Sequence, residues 1–77
     1  MALYKYREYM EHSEDQAFDR VLAHSVAAPW PGIYRCPGCG REIGIAQGHV
    51  LPPQNHHQHR PEQGAVRWQL VASHKAY

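Results

Sequence analysis

Cysteine is scarce in this chain: 77 residues contain two, Cys36 and Cys39. Two thiols that close in sequence make a poor disulfide framework, which makes a reducing cytoplasm the expected location. A basic block is missing as well. Eight Lys/Arg stand against seven Asp/Glu for a formal charge of +1, so composition carries no nucleic-acid signature. No apolar run approaches the roughly 18 residues of a membrane span, and the first residues lack the apolar core of a secretory signal. There is no internal repeat, no low-complexity tract and no H-E-x-x-H run of a zinc protease. What the chain has instead is histidine. There are seven, and His56, His57 and His59 fall within four positions.

Length sets the next constraint. Folding a chain of this mass buries about 8,000 Å². With about 60% of that apolar, burial stabilises by about 120 kcal/mol at ~25 cal/mol/Å². Ordering the residues at ~1.5 kcal/mol each costs about 115 kcal/mol. The two nearly cancel, and a chain this short gains from a staple. Structural zinc supplies roughly 10–16 kcal/mol of apparent binding energy.

Cys36-Pro37-Gly38-Cys39-Gly40 is the place for one. A tight turn at C-x-x-C spacing brings two thiolates to one ion, and glycine tolerates the backbone angles of such a turn. Tetrahedral Zn²⁺ then needs two further ligands. The donors at hand lie in Asn55-His56-His57-Gln58-His59, which begins sixteen residues beyond Cys39. His56 with His59 repeats the two-residue gap of the cysteines. His57 with His59 would put both imidazoles on one side of an extended segment. The reading is a Cys₂His₂ site of Cys36, Cys39, His56 and His59, with His57 as the alternative to His56. A solvated, idle histidine loop is the plain alternative, but Leu51-Pro52-Pro53 stiffens its approach and Pro61 its exit. A redox dithiol would favour a helix starting at the first cysteine, and Pro37-Gly38 starts none. His12, His24, His49 and His74 are expected at the surface.

Around the knuckle the chain reads as small α+β. Residues 1–12 form an arm with two open readings: Leu3, Tyr6 and Met10 would line a helix face, while Tyr4 and Tyr6 alternate as a strand would. Over 13–26, Ser13 and Gln16 have capping-box spacing and apolar residues recur with helical period, which predicts an N-terminal helix ended by Pro29 and Pro31. Trp30, between those prolines, is expected to anchor on the sheet. Gly32–Arg35 and Arg41–Ala46 read as a hairpin carrying the cysteines at its turn, and Ala65–Ala72 alternates as a half-buried antiparallel strand. The expectation is one compact unit, with arm and helix over 1–31 and an antiparallel sheet of about three strands over 32–77.

Gly32-Ile33-Tyr34-Arg35-Cys36-x-x-Cys39-Gly40 followed by Leu51-Pro52-Pro53 resembles small bacterial stand-alone zinc-ribbon proteins, which carry G-x-Y-x-C-x-x-C-G and later L-P-x-C-x-x-C. The resemblance covers roughly residues 32–72 and implies a zinc-bound, three-stranded sheet. Histidines stand where the second cysteine pair would be. A weaker similarity to methionine sulfoxide reductases of the B type rests on Gly32–Gly40, Gly48-His49-Val50 and Gly64–Ser73. Their last strand holds a nucleophilic cysteine. Here it reads Arg67-Trp68-Gln69, without a thiol.

The resulting functional expectation is a zinc-binding structural or protein-interaction module. The alternative is a zinc-dependent enzyme or a degenerate reductase scaffold. Catalytic zinc would need an open position and a base, and Glu42 and Glu62 are the nearby carboxylates in the sequence. Tyr4, Tyr6 and Tyr9, with Trp30 or Trp68 on an open sheet face, are the aromatic surfaces expected to meet a protein partner or a second copy.

Overall fold

The computed structural model describes residues 1–53, 59–60 and 63–74. Four strands, β1 (Val21–Ala23), β2 (Gly32–Arg35), β3 (Glu42–Ile45) and β4 (Arg67–Ala72), form one antiparallel sheet in the order β1-β4-β2-β3. The alternation read in the last strand sets its faces. Val66, Trp68 and Leu70 are buried, whereas Arg67 and Val71 are exposed. On the buried face Leu22 stands opposite Trp68, and Tyr34 stands opposite both Leu70 and Ile43. Trp68 is fully buried, with its indole N–H donating to the Pro52 carbonyl at 3.1 Å. It is therefore a core residue, not an open aromatic surface.

The predicted N-terminal helix is not there. Within 13–26 the regular elements are a 3₁₀ turn, Gln16–Phe18, and strand β1. The cap is Asp15, whose carboxylate accepts the Ala17 N–H at 2.8 Å; Ser13 Oγ accepts only the Asp15 N–H. Capping residues thus start one turn, and Val21-Leu22-Ala23 then leaves it to pair with the flank of β4. Burial along β1 alternates, with Leu22 covered and its two neighbours exposed. Backbone pairing beside Trp68 outweighs a helical period that would bury little else, and it gives the sheet four strands rather than about three.

A second short ladder closes the other side of the core. Ser25 N donates to Leu51 O and Leu51 N to Val26 O, and Ala28 N donates to His49 O and Gly48 N to Ala28 O, at 2.7–3.1 Å. This zip sinks Ala28 and Leu51 into the core. His12, His49 and His74 are exposed as expected, while His24 is half-buried, with Nδ1 3.0 Å from Ser25 Oγ.

Trp30 anchors as expected, through a partner the sequence did not disclose. The Tyr34 hydroxyl donates to Trp30 O at 2.6 Å and accepts the Trp30 N–H at 3.3 Å, while the Arg20 guanidinium sits 5.6 Å from the Trp30 ring centroid. Burial pushes the Tyr34 phenol pKa up, more than the backbone bond to Trp30 lowers it. A raised folded-state pKa stabilises fully below the unfolded value of about 10, and that contribution is lost as pH rises through the folded value. Tyr34→Phe should cost about 1–3 kcal/mol at neutral pH, because it strands both Trp30 backbone groups. It should also remove this residue's share of the alkaline loss of stability. Urea unfolding of both proteins at neutral pH and above pH 10 is the check; an unchanged neutral midpoint in the variant would refute the latch.

Candidate metal centre

The cysteine knuckle is a turn built by its own backbone. Cys36 N–H donates to Arg41 O and Gly40 N–H to Cys36 O, both at 2.7 Å, with Cys39 N–H to Cys36 O at 3.3 Å. These bonds bring Cys36 and Cys39 to one side of the β2–β3 connection. Cys36 is buried and Cys39 exposed, and no disulfide joins them. Burial pushes the Cys36 thiol up. Backbone N–H groups of Arg67, Gly38 and Cys39 and the Cys39 side chain outweigh it, so its pKa is lowered. N–H donors around a buried sulfur favour the thiolate, the form that binds metal.

His59 completes the cluster. Its Nε2 lies 3.4 Å from Cys36 Sγ and 3.2 Å from Cys39 Sγ, and the three donor atoms all lie within 4.8 Å of one another. Its Nδ1 lies 2.8 Å from Gly64 O. A carbonyl oxygen only accepts, so the Nδ1 proton belongs to that bond. In the neutral ring Nε2 then carries its lone pair toward both sulfurs. Three lone-pair donors converging on one point repel unless a cation or a proton lies among them. With metal–sulfur bonds of about 2.3 Å, a metal–nitrogen bond of about 2.0 Å and tetrahedral angles, sulfur and nitrogen would stand about 3.5 Å apart. The observed separations are within a few tenths of that, and the donor set fits a metal ion.

Several residues that hold this geometry had no recognisable signal in the sequence. Arg60 N–H donates to Gln63 Oε1 at 2.7 Å and Gln63 N–H to Arg60 O at 2.9 Å, which ties the residue after His59 to the neighbour of Gly64. Gly38 lies against Gln63 and His59. A Cβ there would stand 2.7 Å from Gln63 O and 3.2 Å from His59 Cε1, so glycine lets knuckle and histidine loop touch. Pro61–Gly64 read only as a polar turn, and Gly38 only as part of a knuckle. A carbonyl used as an orienting acceptor leaves no mark on residue type.

Of the residues expected at the site, Cys36, Cys39 and His59 are brought together. His56 and His57 lie outside the described residues, as does Glu62. Glu42 is engaged elsewhere, 3.1 Å from the Met1 amine and 3.6 Å from the Arg35 guanidinium. Among the described residues no helix is long and apolar enough to cross a membrane.

No family model and no solved structure matches the chain. It is 51% identical over 45 residues, 58% of its length, to Protein L of Escherichia coli. The matched stretch is 51% of that protein, so the chain spans about half the length of the curated relative it resembles.

Proposed function

We propose that this chain is a small zinc-binding structural and protein-interaction module of the stand-alone zinc-ribbon kind. Cys36, Cys39 and His59 are three of its ligands, and His56 or His57 is the fourth. The observation that carries the reading is the Gly64 carbonyl holding Nδ1 of His59, which leaves Nε2 facing two sulfurs. A backbone acceptor that fixes the ring tautomer is the usual companion of a metal-bound histidine. Thiolate and imidazole donors suit zinc among the common divalent ions, and oxygen-preferring magnesium or calcium would be poorly served. The role is structural in this reading, because a fourth protein ligand closes the shell. The similarity to methionine sulfoxide reductase B then concerns the scaffold, since Arg67-Trp68-Gln69 offers no nucleophilic thiol.

Protein purified without chelator should carry about one zinc per chain by elemental analysis. The histidine ring nitrogens should shift at His59 and at one of His56 and His57 when zinc is added. Metal-free protein with a cooperative unfolding transition would sink the proposal. Zinc held by three protein ligands and a water would turn it toward a zinc-dependent enzyme.

A further inference from the structure

On its β1 flank, β4 is paired only at Arg67, Trp68 and Gln69. At that point β1 begins, and the Gln69 amide donates at 2.7 Å to Phe18 O of the preceding 3₁₀ turn, which packs on β4. Among the described residues, no backbone hydrogen bond reaches Leu70, Val71 or Ala72 from that side. The space is a cleft of about 630 Å³. Leu70–His74 forms one wall, and Tyr9–Ser13 with Phe18 forms the other. Met10 on the far wall is extended, with φ −114° and ψ 141°. A recessed, unpaired strand flank beside apolar side chains is the arrangement that receives an added strand.

The chain itself carries a segment that fits. Met1, Leu3, Tyr4 and Tyr6 are 93%, 96%, 61% and 49% exposed. Tyr4 and Tyr6 alternate with Lys5 and Arg7, which is strand spacing in a residue type that favours strands. Charge agrees. Residues 2–6 hold Lys5 and no acid, and the far wall holds Glu11 and no Lys or Arg. Area sets the strength. Tyr4 and Tyr6 are already about half covered, so about half of the roughly 300–500 Å² that two tyrosines bury remains to be covered. Counting the cleft walls and both arms of a two-fold exchange gives about 700–1,100 Å², the range of a weak, transient interface. The arm cannot easily serve its own cleft. Arg7–Tyr9 is a 3₁₀ turn, not a hairpin, and the Met1 amine is held by Glu42 of β3, at the opposite edge of the sheet.

We propose that the cleft beside Leu70–Ala72 takes the N-terminal arm of a second copy, residues 2–6 adding as a strand in a reciprocal two-fold exchange. The cleft lining includes none of Cys36, Cys39 and His59. Metal content and subunit number therefore test the two proposals separately.

Sedimentation of the full chain from low micromolar to near-millimolar concentration is the test. The wild-type protein should dimerise. The double variant Tyr4→Ser/Tyr6→Ser, which has an intact cleft, and Val71→Lys, which has an intact arm, should each associate at least about 30-fold more weakly. Each variant should keep a cooperative unfolding transition like that of wild type, which shows that it is folded. A wild-type chain that stays monomeric, or folded variants that dimerise as well as wild type, would each overturn the proposal.

Discussion

Cys36→Ser should yield a protein that holds no zinc and shows no cooperative unfolding transition. Two quantities decide this. A structural zinc of the proposed kind is worth roughly 10–16 kcal/mol of apparent binding energy. A domain of this length has a total stability of about 4–12 kcal/mol. Losing the ion removes about the whole margin or more. Cys36 is also at 0% exposure within the core cluster, with Tyr34 and Trp68, so the substitution replaces a buried sulfur by a smaller hydroxyl. Thermal unfolding with and without EDTA, followed by tryptophan fluorescence, is the measurement. Chelator should collapse the wild-type transition and leave Cys36→Ser unchanged. One equivalent of zinc and a wild-type midpoint in the variant would end the metal reading. Cys39→Ser should also lose the ion, although Cys39 is exposed and adds no core defect. A matching collapse in that variant attributes the effect to the metal rather than to packing.

The cluster was legible because its signals are chemical and local. Cysteine is rare here, C-x-x-C spacing turns tightly, and His59 belonged to either plausible histidine pair. The hairpin and β4 were legible for a related reason: turn residues at the knuckle and strict alternation over Val66–Ala72 leave few competing readings. The segment 13–26 was not. Its apolar spacing satisfied a helix, and what overruled it was the open flank of β4, a partner about 45 residues away that single-sequence periodicity does not see. The same holds for the ladder between Ser25–Ala28 and Gly48–Leu51, which is written in backbone hydrogen bonds and has no side-chain pattern. Gly64 belongs with it, because its contribution to the metal centre is a carbonyl oxygen. Residue types forecast donors of side-chain atoms well, and long-range backbone partners poorly.

Gly32→Ala should be as damaging as any substitution away from the metal. Gly32 opens β2 with φ +145°, and a Cβ there would collide with Ala72 O and lie 2.9 Å from Ser73 Cα. Both are backbone atoms of a strand end that β2 itself holds, next to the register shift at Ile33/Tyr34. Neither can swing aside as a flexible side chain would. Relief requires the start of β2 to lift from β4, which breaks the Ile33–Ala72 pairing and the Ser73 Oγ bond to Pro31 O at 2.5 Å. A clash combined with a backbone angle that side chains rarely adopt belongs to the class costing about 4–5 kcal/mol or more. Gly44→Ala is the control. Nothing lies within 4 Å of its Cβ position, so it should be neutral or slightly stabilising. Urea unfolding compares the two, and equal midpoints would refute the argument. Zinc then separates this defect from that of Cys36→Ser. Gly32→Ala keeps all the proposed ligands, so excess zinc should pull its unfolded fraction back by mass action. Cys36→Ser lacks a ligand and should not respond at any zinc concentration.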